Sequence, residues 1–187
     1  MMTYSETLNY WFSAKNKKHW FNSTPQIDIE IREKFKDLWE SAAAGKLNSW
    51  QKSPESALAL IIVLDQLPLN MFRGKAKCFA TETKALEVVL KAIEKGYDKK
   101  MHNHKLMFLL MPLAHSEKLS DQDLHVKLIQ RYALRGQVSL MLSLRFAKHH
   151  RNLIREFGRF PHRNTILGRE STKAELDYLA SKRAFTG

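Results

Sequence analysis

Cysteine, glycine, proline and acidic residues are all scarce in this chain of 187 residues. The single cysteine, Cys78, excludes an internal disulfide, and this length is enough to bury a core without one, so we expect a single domain over residues 1–187. No apolar run reaches the roughly eighteen residues that cross a bilayer, and we expect no membrane anchoring. The first residues lack the basic and then apolar order of a signal peptide, which favours a cytoplasmic protein.

The scarcity of glycine and the spacing of the apolar residues predict an all-α fold. Only seven glycines occur, apolar residues recur at helical spacing along most of the chain, and no stretch alternates as a strand would. Thr24-Pro25 and Ser53-Pro54 are helix starts, because proline is well tolerated in the first turn. Short connections between the helices predict stacked antiparallel hairpins, an α-solenoid-like arrangement.

Two of the predicted helices are apolar on nearly every side and lead into polar residues beside a proline. The run from Ala57 to Leu64 is followed by Asp65-Gln66 and then Pro68. The run from Leu106 to Leu113 contains Pro112 and precedes His115-Ser116-Glu117. We expect both helices to end or kink at the proline, which places these polar groups at or near the interior, where each needs a hydrogen-bond partner.

The last third of the chain combines a long helix with a rigid turn. Ser120 is a predicted N-cap, and a helix over Val138 to Phe157 would place His150 on its apolar face. The octapeptide Phe157 to Asn164 reads Phe-Gly-Arg-Phe-Pro-His-Arg-Asn. Its glycine should end the helix and its proline should hold the preceding residue extended, so that its cations project from the turn. Thr172 and Glu175 then have capping-box spacing.

Several recognisable segments follow one another over essentially the whole chain. They are Trp11-Phe12, Trp20-Phe21, Gly45-Lys46-Leu47 with Trp50, Leu58 to Pro68, Phe72-Arg73-Gly74, Pro112 with His115-Ser116-Glu117, Asp121-Gln122, His150, Phe157 to Asn164, and Leu167-Gly168-Arg169 with Ser171-Thr172. In this order they resemble the bacterial family catalogued as domain of unknown function 924. The resemblance implies an all-helical, tetratricopeptide-like fold and no particular activity. The chain has Leu69 where the family usually has arginine, and Glu82 or Thr83 where aspartate is typical.

The polar groups that interrupt the apolar helices are the candidate site. These candidate ligand-binding residues are Asp65, Gln66, Arg73, His115, Ser116, Glu117, His150, Arg159, His162 and Arg163. A net charge of +12 favours acidic partners, and the arginines with His162 would bind a phosphorylated or carboxylated small molecule or an acidic peptide. The competing interpretation is that Asp65 or Glu117 pairs with Arg159 or Arg163 and that the network is purely architectural.

Two further classes of function stay open. An enzyme acting on phosphoesters would use His115 or His150 as general base, oriented by Glu117 or Asp65, whereas Ser116 is a poor nucleophile candidate. The spacing of the histidines matches no metal motif, so we expect neither a metal nor another cofactor. Nucleic-acid binding would use the basic helical face of Arg145, Lys148, Arg151 and Arg155, although no recognised module supports it. The oligomeric state is left open.

Overall fold

The computed structural model describes residues 2–137 and 140–185, and every regular element in these ranges is helical. The prediction of an all-α protein is therefore confirmed. The chain divides into two compact units, Met1–Pro112 and Leu113–Gly187, which we call the N-terminal and C-terminal units. The expectation of a single domain over residues 1–187 stays a prediction. Among the residues described, no helix combines the length and the apolar character needed to cross a bilayer.

The N-terminal unit contains six complete helices and the larger part of a seventh. They are α1 (Tyr4–Trp11), α2 (Ala14–Lys17), α3 (Pro25–Ala43), α4 (Pro54–Ile61), α5 (Leu67–Met71), α6 (Glu82–Glu94) and α7 (Asn103–His115), with 3₁₀ turns at Asn48–Lys52, Ala76–Phe79 and Asp98–Lys100. The predicted starts of α3 and α4 are confirmed. Thr24 caps α3 by accepting from the Ile27 amide, and Ser53 caps α4 by accepting from the Ser56 amide.

The expected helix end beside Asp65 and Gln66 is wrong. Instead, α4 continues through a π-helical turn, Ile62–Gln66, directly into α5, so that Pro68 lies in the first turn of α5. A proline there cannot donate to the carbonyl of Leu64, and the hydroxyl of Thr81 donates to that carbonyl instead. Because a distant side chain satisfies the exposed carbonyl, the helix continues across the proline.

The start of the helix after α7 also differs from the expectation, whereas a kink of α7 at Pro112 stays a prediction. Pro112 lies inside α7, which continues to His115. The fully buried amide of Gln122 donates to the carbonyls of Ala114 and Ser116 at 2.8 and 2.7 Å, so the carbonyls at this helix end are satisfied. The N-cap of the following helix is Lys118 rather than Ser120, which lies in the first helical turn.

The C-terminal unit is built on α8 (Leu119–Leu134), α9 (Leu140–Phe157) and α10 (Lys173–Leu179), with a 3₁₀ turn at Pro161–Arg163. Asp123 near the start of α8 lies 3.9 Å from Arg155 near the end of α9, so the two helices run antiparallel. The predicted first two residues of α9, Val138 and Ser139, lie outside the described residues. The capping box at the start of α10 is confirmed.

Candidate functional site

The loop between α9 and α10 folds inward instead of projecting its cations. Gly158 ends α9 with a φ of +72°, a conformation that side-chain-bearing residues rarely adopt, and Phe160 is extended as predicted. The following 3₁₀ turn buries Arg163, whose side chain is among the least exposed of the arginines, together with Asn164. The expectation that Arg163 projects from the turn is therefore wrong. Its guanidinium carbon lies 4.9 Å from the centre of the Phe160 ring.

Arg159, at the start of this loop, is paired with Glu175 of α10. Its Nε and one terminal nitrogen donate to the two carboxylate oxygens at 2.7 and 2.8 Å, and the same terminal nitrogen donates to the Glu170 carbonyl. These hydrogen bonds from Arg159, with that from the Thr172 amide, hold the pKa of the Glu175 carboxyl well below its ordinary value. The architectural interpretation expected Asp65 or Glu117 as the carboxylate partner of Arg159. Neither of them is its partner.

Glu117 is paired with Arg169, at the other end of the loop. Two terminal nitrogens of Arg169 donate to its two oxygens at 2.7 and 3.0 Å, and the Phe160 amide donates to it at 2.8 Å. Burial alone would raise the pKa of this carboxyl, but the hydrogen bonds from Arg169 and Phe160 lower it below its ordinary value. Glu117 is therefore ionised and fixes the loop to the turn between α7 and α8.

Four histidines of the C-terminal unit interact electrostatically, and we call them the histidine cluster: His115, His125, His150 and His162. Both ring nitrogens of His150 are buried without a hydrogen-bond partner, as is Nδ1 of His125 and of His162. Burial, reinforced by the electrostatic interaction with His115, lowers the pKa of His125 and His150 to about 3. Burial and the charge of Arg163 lower the pKa of His162 to about 4.

Two aromatic rings enclose His150 and His162 of the cluster. The Phe160 ring centre lies 5.4 Å from that of His150 and 5.6 Å from that of His162. The Phe185 ring lies 4.6 Å from His150 and 5.0 Å from His162. These surroundings contribute to the lowered pKa of His150 and His162, because apolar rings desolvate the charged form without offering a partner to a ring nitrogen.

A neutral imidazole has one nitrogen that donates and one that accepts a hydrogen bond. His150 and His162 therefore offer unused donors and acceptors, and the charge of the Arg163 guanidinium acts on His162. Within the described ranges no group of three or more histidine, cysteine or acidic side chains has an arrangement that would hold a metal ion. The chemistry that the cluster can perform is hydrogen bonding to a polar ligand and proton exchange with it.

The sequence pattern of a bacterial family of proteins of unknown function, DUF924, matches residues 7–183 of the chain. The chain belongs to this family. A solved structure of a protein of unknown function from Agrobacterium tumefaciens is 34% identical in sequence and superposes with a TM-score of 0.86, covering 95% of this chain and 96% of that one. A search of the curated proteins finds no match.

Three of the predicted site residues of this DUF924 protein lie in the N-terminal unit. The side-chain amide of Gln66 donates to Asp65 at 2.6 Å, and both side chains are buried. Arg73 donates to both oxygens of Asp28, which also accepts from Asn70 and from Ser23. Asp28 thus anchors the residues after α5 to α3. The convergence of these residues with those of the C-terminal unit on one site stays a prediction.

The other predicted site residues lie in the C-terminal unit, but the network contains four residues that sequence reasoning missed: His125, Arg169, Glu175 and Phe185. His125 follows the same helical spacing as Ile129 and Tyr132, both buried, and this periodicity was a usable signal. Ser116 donates to Asp121 at 2.6 Å, which occupies the hydroxyl of the weak nucleophile candidate.

The basic face of α9 is partly neutralised within the C-terminal unit. Arg151 and Arg155 lie 3.8 and 3.9 Å from the carboxylate of Asp123, whereas Arg145 and Lys148 are exposed. Exposed pairs at these distances contribute little to stability. The face therefore keeps the positive charge of Arg145 and Lys148, and nucleic-acid binding stays a prediction.

Proposed function

We propose that this DUF924 protein binds a small phosphorylated or carboxylated ligand at the histidine cluster. The observation that carries the proposal is the pair of buried ring nitrogens of His150 that have no hydrogen-bond partner. Buried polar atoms in native proteins are almost always hydrogen-bonded, and an atom that is not calls for an explanation such as a ligand. Nδ1 of His162 is also buried without a hydrogen-bond partner, which adds a third such atom beside the same two aromatic rings.

The charges around the cluster favour an anion over a neutral or cationic ligand. Arg163 and Arg169 both lower the pKa of His162, whereas Glu117 alone opposes them. The electrostatic environment of His162 is therefore positive before any histidine is protonated. An oxyanion would accept hydrogen bonds from the imidazoles, and its charge would favour their protonated form, so that binding strengthens the donors that hold it.

The proposal is tested by thermal unfolding with inorganic phosphate and with a panel of phosphorylated and carboxylated metabolites. A ligand at about a hundred times its Kd stabilises by about 2.7 kcal/mol, which raises the Tm of a protein of this size by roughly 5–10 °C. His150→Phe should abolish this shift while keeping a ring in the enclosure, and Lys148→Gln on the same helix should leave it unchanged. No shift with any compound, or an equal shift in His150→Phe, overturns the proposal.

The alternative that this protein is an enzyme is tested with the same ligands. Both ring nitrogens of His150 lack a partner, so no carboxylate orients it, and its low pKa makes it a weak general base before a ligand binds. A stabilising phosphoester that is also turned over by the wild type, with turnover lost in His115→Ala and His150→Ala, would establish phosphoester chemistry. Stabilisation without turnover leaves a binding protein.

We also propose that the helices form a tetratricopeptide-like stack within a single cytoplasmic domain. The antiparallel pair α8 and α9 is the kind of hairpin from which such stacks are built, and this supports the proposal. The chain has one cysteine, which is buried and forms no disulfide, as is usual for proteins of a reducing compartment. An acidic peptide is the alternative ligand for such a scaffold, and phosphate would then compete with it.

A further inference from the structure

We propose that Phe185 is a lid on the histidine cluster, so that a ligand reaches His150 and His162 only when residues 183–185 move away. The inference names how access to the proposed site is controlled and therefore rests on the proposed function. It stands on the position of the Phe185 ring, on the difference between the two rings that enclose the cluster, and on the way in which the segment is attached.

The Phe185 ring covers the two histidines that carry the unused ring nitrogens. Its centre lies 4.6 Å from that of His150 and 5.0 Å from that of His162, with a further contact to His149 at 6.1 Å. At these distances an aromatic ring leaves no room for a water molecule between itself and the imidazole. A ligand that bonds to His150 on this side must take the place of the Phe185 ring.

Phe160, the other ring of the enclosure, is fixed in place. It is 1% exposed and belongs to the buried core with Leu153, Ile154 and Tyr178. Its amide donates to Glu117 and its carbonyl accepts from Arg169, so both of its backbone groups are tied to one ion pair. Moving Phe160 would break this pair and open the core, which makes it an unsuitable gate.

Phe185, in contrast, packs against the outside of this core and is only partly buried. Its segment has no regular secondary structure, and its amide donates one hydrogen bond, at 2.8 Å, to the hydroxyl of Tyr178. Within the described part of the chain, the amides of Arg183 and Ala184, just before it, donate to Ser181. Segments with few buried contacts and few backbone hydrogen bonds open at low free energy, and they commonly serve as lids. The Tyr178 hydroxyl is then the latch of this lid.

Tyr178→Phe tests the hydrogen bond from the Phe185 amide without disturbing the packing of the core. The hydroxyl is removed while the ring, buried at 6% exposure and 5.3 Å from the Phe157 ring, is kept. Phe185→Ala removes the lid itself. Leu176→Ala is the matched control, because Leu176 lies on the same helix and is 56% exposed.

The experiment measures the modification of individual histidines by diethyl pyrocarbonate at pH 6.5, followed by mass spectrometry. This reagent attacks neutral imidazole, and His150 and His162 are already neutral at that pH, so the rate reports access. We expect the rates at His150 and His162 to rise at least about tenfold in Phe185→Ala and several-fold in Tyr178→Phe. Rates that stay at the wild-type value in both variants, or that rise equally in Leu176→Ala, overturn the lid.

Adding inorganic phosphate to the same variants separates the two proposals. If phosphate stabilises the wild type but the modification rates do not change in either variant, the lid fails and the proposed function stands. If the rates rise as expected but phosphate stabilises no variant, the lid stands as a structural gate and the proposed function fails. With both correct, phosphate protects His150 in every variant and binds faster to Phe185→Ala.

Discussion

Neutral buried imidazoles are the main residue-scale feature of the C-terminal unit. In the folded protein the pKa of His150 is lowered to about 3, whereas an unfolded chain has the ordinary value near 6.5. Above about pH 6.5 neither state binds a proton at this residue, so its ionisation has no effect on stability. Below that pH the unfolded state takes up a proton that the folded state does not, and stability falls until the pH approaches the folded pKa.

The resulting prediction concerns stability in mild acid. Each histidine that stays neutral in the folded protein contributes a slope of about 1.4 kcal/mol per pH unit between roughly pH 6 and pH 4.5. His150→Phe should remove one such contribution, so its free energy of unfolding should fall less steeply with decreasing pH. Urea unfolding at a series of pH values measures both slopes. Leu176→Ala, which removes an exposed side chain without an ionisable group, should retain the wild-type slope, and parallel curves for His150→Phe and the wild type would contradict the assignment.

At this scale the sequence predicts positions on a helix but not pairings in space. The helical period alone placed His150 among apolar side chains, because burial follows spacing. It did not identify Arg169 as the partner of Glu117, which lies 52 residues away, nor Glu175 as the partner of Arg159, 16 residues away. By sequence alone, many arginines and lysines could pair with a given carboxylate. Only the packing of the helices determines which of them does.

At the scale of elements, the loop between α9 and α10 is held by an ion pair at each end. Arg159 ties its start to α10, and Arg169 ties its end to the turn between α7 and α8 through Glu117. Both pairs are bidentate and partly buried, a geometry that is stronger than that of isolated surface pairs. With both ends fixed, the loop has one way to fold, and this brings His162 and Arg163 against Phe160.

This arrangement predicts that Glu117→Gln destabilises the C-terminal unit by about 2–4 kcal/mol. The substitution leaves Arg169 partly buried without its carboxylate and weakens the acceptor of the Phe160 amide, and removing one member of such a pair costs more than the pair contributes. Urea unfolding monitored by circular dichroism gives the change. Asp177→Asn, which breaks an exposed pair with Lys173 on α10, should change stability by less than about 0.5 kcal/mol. Equal effects of the two substitutions would show that the Glu117 pair does not hold the loop.

Some helix boundaries are determined by residues that are close in the sequence, and others by residues that are far away in the sequence. The caps at Thr24, Ser53 and Thr172 were predictable, because a cap is a side chain bonding to an amide three residues away. The passage of the helix across Pro68 was not, because the carbonyl freed by the proline is satisfied by Thr81, 17 residues beyond Leu64. A proline in the sequence shows where a backbone N–H donor is missing, but it does not show which other group donates to the freed carbonyl.

At the scale of the whole molecule, the net charge of +12 attracts any polyanion, whether or not a built site exists. This attraction acts through exposed cations such as Arg145 and Lys148 and is screened by salt. Hydrogen bonds within the enclosure of Phe160 and Phe185 are screened much less. The dependence on salt therefore distinguishes the proposed binding at the histidine cluster from binding to the charge of the surface.

We expect the thermal stabilisation by inorganic phosphate to keep more than half of its value between 0.05 and 0.5 M NaCl, concentrations that span Debye lengths of roughly 14 to 4 Å. Binding of a single-stranded RNA oligonucleotide, measured on filters over the same range, should fall steeply, because it depends on counterion release. Arg145→Gln with Lys148→Gln should weaken the RNA without reducing the phosphate effect. If the phosphate effect disappears together with the RNA, phosphate binds to surface charge instead of the cluster. RNA that stays bound at 0.5 M NaCl would favour the nucleic-acid alternative.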